Sequence, residues 1–286
     1  MALPPADLTY EGYLQLDRVL SAQQPLSEPQ SHDELQFIVV HQTFELWFKQ
    51  MLHEVDAIFA HLAADRTLEA ARLVGRLRAI VHCFLPALKV IETMVPSHFL
   101  EFRDLLKPAS GFQSWQFREL EFACGLRDER YVRMFERNPE VQKRLRARLA
   151  APAVWDAVVG HLGRRGLNVT TEADQRAAVV AIYKDETRYE LRALCEALIE
   201  FDEEFSLYRQ HHVKMAERMI GHKAGTGEKV AVYALGPSGL PAEARDGSGY
   251  LSSAKAGPMG THGVEYLQST LGKRFFPVLW AARTEM

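Results

Sequence analysis

Apolar residues recur at helical spacing along most of the chain. Residues 33–63 carry them at steps of three and four, which predicts one long helix. A second is predicted over 67–95, with a kink at Pro86, and a short third over 97–106, closed by Lys107-Pro108. Further helical segments cover 112–125, 128–136, 139–150 and 153–163. The last long stretch, 172–220, breaks near Lys184-Asp185 and stops at Gly221, a residue suited to the position after a helix end. Strict alternation is nearly absent; only Val230–Leu235 has a strand pattern. The pattern implies an all-α, bundle-like protein in one domain over 1–286.

The apolar rows contain two residues that do not belong to a plain core. On the first long helix the row is Phe37, His41, Phe44, Phe48, Met51, Val55, Ile58, Leu62. On the last it is Leu191, Leu194, Leu198, Phe201, Phe205, Tyr208, His212, Met215, Met219. His41 and His212 therefore face inward, whereas His211 points elsewhere. One such imidazole is commonly a core histidine satisfied by a backbone carbonyl. Two on two long helices of one bundle open a second reading, because a neutral imidazole is a good iron ligand and bundles hold cofactors between helices. Arg103 follows Phe99 by four residues and precedes Leu106 by three, so it too lies on an apolar face. It is either a snorkelling arginine or a guanidinium that grips a planar carboxylate.

Spacing excludes several other chemistries. No Glu has a His three residues later, so the di-iron Glu-x-x-His pattern is missing. His53-Glu54 is followed by Ala57 where a zinc protease needs the second His, and Ser238 is flanked by Pro237 and Gly239, not by a nucleophile elbow. Gly225-Thr226-Gly227 lacks the residues of a phosphate loop. A helical haem pocket survives, or nothing catalytic.

Composition narrows the setting. With 47% apolar and 25% charged residues the chain is an ordinary globular one, so disorder is excluded as its main state. Lys and Arg number 34 against 37 Asp and Glu, so no charge excess points to nucleic acid or an anionic membrane. No apolar run reaches the length of a membrane span and no secretory signal opens the chain. Three separated cysteines, Cys83, Cys124 and Cys195, fit a reducing cytoplasm. Ten of the 18 glycines fall between Gly221 and Gly263, which reads either as a surface loop or as a lid over a site at 222–263.

Several long motifs carry a resemblance: LTYEGYLQLD (8–17), FIVVHQTFELWFKQ (37–50), ETMVPSHFLEFRDLLKPASGFQSWQFRELEF (92–122), HVKMAERMIGHKAGTG (212–227) and GVEYLQSTLGKRFFPVLWAART (263–284). In this order and spacing the chain resembles the tryptophan 2,3-dioxygenase family, haem enzymes that open the indole ring of L-tryptophan with dioxygen to give N-formylkynurenine. The resemblance implies haem b with His212 as proximal iron ligand and His41 as the distal histidine near the indole N–H. It implies Phe37 and Phe99 as walls for the indole, Arg103 as carboxylate partner, Thr226 as partner of ammonium and carboxylate, and Ser110 and Gly111 beside the haem. Tyr10, Tyr13 and Leu14 would complete the pocket of a neighbouring subunit in a homotetramer that exchanges its 1–30 segments. One departure stands out: about 30 extra residues, roughly 228–262, separate the Gly-Thr-Gly turn from the motif at Gly263. They either cap a larger or modified substrate or form an inert excursion. The rival readings are a haem monooxygenase of a modified tryptophan, a non-enzymatic haem-binding or sensor protein, and a plain helical interaction protein.

Overall fold

The computed structural model describes residues 8–221, Lys223, Thr226 and 263–286. The Val230–Leu235 pattern and the 228–262 insertion lie outside the described residues, among which no strand occurs. Helices α1 (Tyr10–Leu14) and α2 (Leu16–Leu20) open the chain and bury no residue. They are followed by α3 (His32–Ala63), α4 (Thr67–Ile91), α5 (Pro96–Arg103), α6 (Trp115–Ala123), α7 (Arg130–Arg133), α8 (Pro139–Ala150), α9 (Val154–Arg164), α10 (Glu172–Lys184), α11 (Tyr189–Ile220), α12 (Gly263–Ser269) and α13 (Pro277–Ala282).

The helix ends follow local chemistry. The second long helix closes at Ile91, four residues short of the expected 95, because Val95 precedes Pro96 and that proline excludes the α conformation before it. Pro96 then starts α5, and the axis turns by 94° between α4 and the Pro96–Leu106 segment. The expected 128–136 helix shrinks to one turn at α7. The break at 184–185 is real: the Asp185 carboxylate accepts from Thr187 N at 3.0 Å and seeds a new turn before α11. Gly221 ends α11 at φ +57°, a conformation that L side chains rarely adopt.

Helix α4 packs most extensively against α11 and α3, and α6 closes on α3. At their centre Phe84 of α4 is fully buried and meets Phe44 (5.1 Å), Phe48 (5.6 Å) and Tyr208 (5.1 Å) edge-on. This aromatic node joins the three long helices. Buried Asp202 on α11 accepts from Phe275 N (3.0 Å), Phe276 N (3.1 Å) and Trp280 Nε1 (2.9 Å), which ties the C-terminal segment to the bundle. No single helix among the described residues is long and apolar enough to cross a membrane.

Candidate active site

Above the aromatic node the long helices part, and a cavity of about 690 Å³ opens between α3, α5, the 109–114 turn, α6, α11 and α12. Phe37, His41, Phe99, Arg103, Ser110, Gly111, His212 and Thr226 all line it. Residues up to 189 positions apart on the chain, Phe37 and Thr226, thus share one pocket. Tyr10, Tyr13 and Leu14 do not; they lie on the short N-terminal helix, with Tyr10 and Tyr13 about three-quarters exposed, away from this chain's own cavity.

The two histidines are neutral at physiological pH. Burial, reinforced by the nearby His41 and His211, pushes the His212 imidazole down to about 4. Its ring lies parallel to that of Tyr208 one turn earlier, 5.8 Å away and 10° apart in plane. His41 is open to the cavity but walled by protein on its other sides. Burial lowers its pKa, against the opposing pull of its bond to Phe37 and the charge of Glu45. Its Nδ1 lies 2.7 Å from the Phe37 carbonyl, which only accepts, so Nδ1 carries the proton and Nε2 is left as an acceptor. The Phe37 ring packs on His41 at 4.0 Å and faces Phe99 at 5.6 Å.

Arg103 is buried at the end of α5. Thr226 donates its hydroxyl to the Ala109 carbonyl at 2.7 Å, which fastens Thr226 to the loop before Ser110. Ser110 accepts from Phe112 N while its own N–H donates to Gln113 Oε1, so a local capping box shapes the turn that carries Gly111. A Cβ added at Gly111 would meet nothing within 4 Å, so neighbouring protein atoms do not impose that glycine.

A buried charge cluster that sequence reasoning missed lies at the α6 and α11 side of the cavity. Arg118 Nη1 sits 2.6 Å from Glu121 Oε2, and Arg209 Nη2 sits 3.3 Å from Glu121 Oε1. All three side chains are at most 5% exposed, and all three line the cavity. Burial works against the Arg118 charge, but the Glu121 carboxylate outweighs it and raises the guanidinium's pKa. Within the cluster two cations share one anion. The signals available were an Arg and a Glu three apart on an apolar helix and an Arg three residues before His212. Both look like surface residues until the fold is known.

This donor set suits a haem. Among the described residues no group of three His, Cys, Asp or Glu could hold a bare metal ion. A neutral imidazole, a mostly apolar cavity within the ~300–1,000 Å³ usual for cofactor sites, and the Arg118 and Arg209 guanidiniums on one side of it are groups that a haem would use.

Known proteins are similar to this one over nearly the whole chain. Residues 4–149 and 135–237 match the family profile described as "Tryptophan 2,3-dioxygenase". A tryptophan 2,3-dioxygenase of a Nocardioides species is 40% identical over 287 residues, covering 98% of this chain and 96% of that protein. Those of Caulobacter vibrioides (37% over 294 residues; 98% and 99%) and Xanthomonas euvesicatoria (36% over 293 residues; 98% and 88%) align equally far. With a match of this extent, the chain belongs to the tryptophan 2,3-dioxygenase family and is an oxidoreductase.

Proposed function

We propose that the protein is a haem-dependent dioxygenase that inserts both atoms of dioxygen across the indole C2=C3 bond of L-tryptophan, giving N-formylkynurenine. One observation carries this reading: two neutral histidines and the buried Arg103 converge on a single cavity whose size and charge suit a haem beside a small amino acid. His212 would ligate the iron, Ser110 and Gly111 would lie beside the macrocycle, and Arg118 and Arg209 would receive its carboxylates. When bound, the haem supplies the activation of dioxygen that the protein's own side chains cannot provide.

The remaining chemistry is orientation. Arg103 offers a planar fork to the substrate carboxylate, a contact of about 1.5–3 kcal/mol when desolvated. The Thr226 hydroxyl, which spends its proton on the Ala109 carbonyl, keeps lone pairs that accept from the substrate ammonium. Phe37 and Phe99 flank the indole. His41 Nε2, fixed as an acceptor by the Nδ1 bond to Phe37, takes a hydrogen bond from the indole N–H. Indole N–H is too weak an acid for an imidazole to deprotonate, so His41 orients and polarises the ring without removing its proton. Tyr10, Tyr13 and Leu14, left exposed on their own chain, would complete the pocket of a neighbouring subunit in a cytoplasmic homotetramer.

The test is the mass of the product formed from reduced, haem-loaded protein, L-tryptophan and isotopically labelled dioxygen. Two labelled atoms are expected. One labelled atom, or turnover only of a substituted tryptophan, would replace this reading with a monooxygenase.

A further inference from the structure

Three polar links outside the residues discussed so far converge on the substrate end of the cavity. The first is Glu34 of α3, a carboxylate in the lining that is only 1% exposed. It accepts from Leu26 N (2.7 Å), Ser27 N (3.0 Å) and the Ser27 hydroxyl. Burial alone would raise its pKa; these three donors outweigh burial and hold it below the usual carboxylate range. The second is Ser31, whose N–H donates to Ser27 Oγ (2.7 Å) and whose hydroxyl donates to Glu101 Oε2 (2.9 Å) on α5. Glu101 stands two residues from both Phe99 and Arg103. The third is the Gln42 side chain beside His41, which donates to Ala22 O at 3.0 Å and accepts from Gln23 Nε2.

These links fasten residues 22–31 as a strap across α3 and α5, the two helices that present Phe37, His41, Phe99 and Arg103. One strap side chain is anomalous. Leu26 lines the cavity yet is 60% exposed, although its own backbone is tied to a buried carboxylate. An apolar side chain held rigidly in the open beside a binding cavity gains most when an apolar ligand covers it.

We propose that Leu26 is a specificity-determining wall for the substrate's aromatic ring, and that Glu34 and Glu101 are positioning residues that set it through Ser27 and Ser31. The inference rests on the reading of this cavity as the tryptophan site. Truncating Leu26 makes room for a ring substituent, and loosening its anchor makes the same room by letting the wall recede.

The experiment compares kcat/KM for L-tryptophan with that for tryptophans methylated at single positions of the benzene ring, on haem-loaded wild type, Leu26→Ala, Ser27→Ala and Glu34→Gln. Leu26→Ala is expected to shift the ratio toward at least one methylated substrate by about tenfold, the weight of a misfitted methyl group. Because Leu26 is largely exposed, this variant should keep the wild-type haem absorption and unfolding midpoint. Ser27→Ala, and Glu34→Gln where it folds, should shift the ratio in the same direction through KM. A merely structural role would lower stability and activity on all substrates together and leave the ratios fixed. Unchanged ratios in Leu26→Ala overturn the wall; a shift there with unchanged ratios in Ser27→Ala overturns the anchoring. A wild type that turns over no tryptophan at all would instead defeat the underlying reading, and this inference with it.

Discussion

Neutralising Glu121 tests the buried charge cluster directly. In the folded protein Glu121 is the shared counterion of Arg118 at 2.6 Å and Arg209 at 3.3 Å, with every partner at most 5% exposed. Neither guanidinium can shed its proton, so Glu121→Gln leaves two buried cations facing one another across an amide. Breaking a buried pair in this way costs about 3–5 kcal/mol. The Arg118 face over Tyr131 (4.0 Å) and the Arg209 bond to Lys273 O (2.9 Å) hold both side chains in place, which limits their escape to water. The exposed pair Glu69–Arg72, with both side chains about half exposed, is the control, and Glu69→Gln should change stability little because solvent screens the pair. Urea unfolding followed by far-ultraviolet circular dichroism reads both variants, with and without haem. If the haem carboxylates meet Arg118 and Arg209, the loss in Glu121→Gln should shrink in the haem-loaded protein, because the cofactor replaces the missing anion. A cost no larger than that of the Glu69→Gln control would refute the buried-cluster argument. A loss equal with and without haem would refute the carboxylate assignment.

Further outcomes follow from the same geometry. His212→Ala should lose haem and all activity, seen as absence of the Soret band after reconstitution. His41→Ala should keep haem and partial turnover, and total inactivity with haem intact would contradict an orienting role. Arg103→Ala should raise the L-tryptophan requirement about tenfold or more, in line with loss of a charged hydrogen bond, and an unchanged KM would remove the carboxylate assignment. Acid should weaken the haem-free protein, since the unfolded chain takes up a proton near pH 6.5 that folded His212 refuses until about 4. Stability is therefore full above pH 6.5 and falls by about 3 kcal/mol as pH drops to 4, and the slope in urea midpoints should flatten in haem-free His212→Ala.

The sequence pattern revealed the inward face of each long helix but not what that face meets. Helix ends depended on local residues, and these were partly legible. Pro96 stops the preceding helix early, yet Glu92, Thr93 and Met94 suit a helix well enough that spacing alone runs the pattern on to 95. The Arg118, Glu121 and Arg209 cluster was illegible for a different reason. An Arg and a Glu three apart are the ordinary dress of an exposed helix. Only the packing of α6 against α3 and α8, and of α11 against α4 and α12, decides that these charges lie inside. Leu26 was equally hidden, because its placement depends on a carboxylate eight residues away on another element.

The two histidines were legible because core and cavity share one apolar row on each helix. On α3 the row runs from buried Leu62 through Phe48 and Phe44 and then, toward the N-terminus, reaches His41 and Phe37. On α11 it runs from buried Leu191 through Phe205 and Tyr208 and then, toward the C-terminus, reaches His212, Met215 and Met219. The rows meet where Phe44 lies 6.2 Å from Tyr208, so both change from core to cavity at one level of the bundle. Periodicity cannot see that level, because helical geometry is the same on either side of it. What creates it is α5: the 94° turn after α4 removes the helix that would otherwise continue to fill the space and lays Phe99 and Arg103 across the opening. The buried half, centred on Phe84, fixes the helices against one another by close packing, and the open half inherits that rigidity for His41 and His212. A site that works by orientation needs this division, with the positioning groups carried on elements whose packing is completed elsewhere.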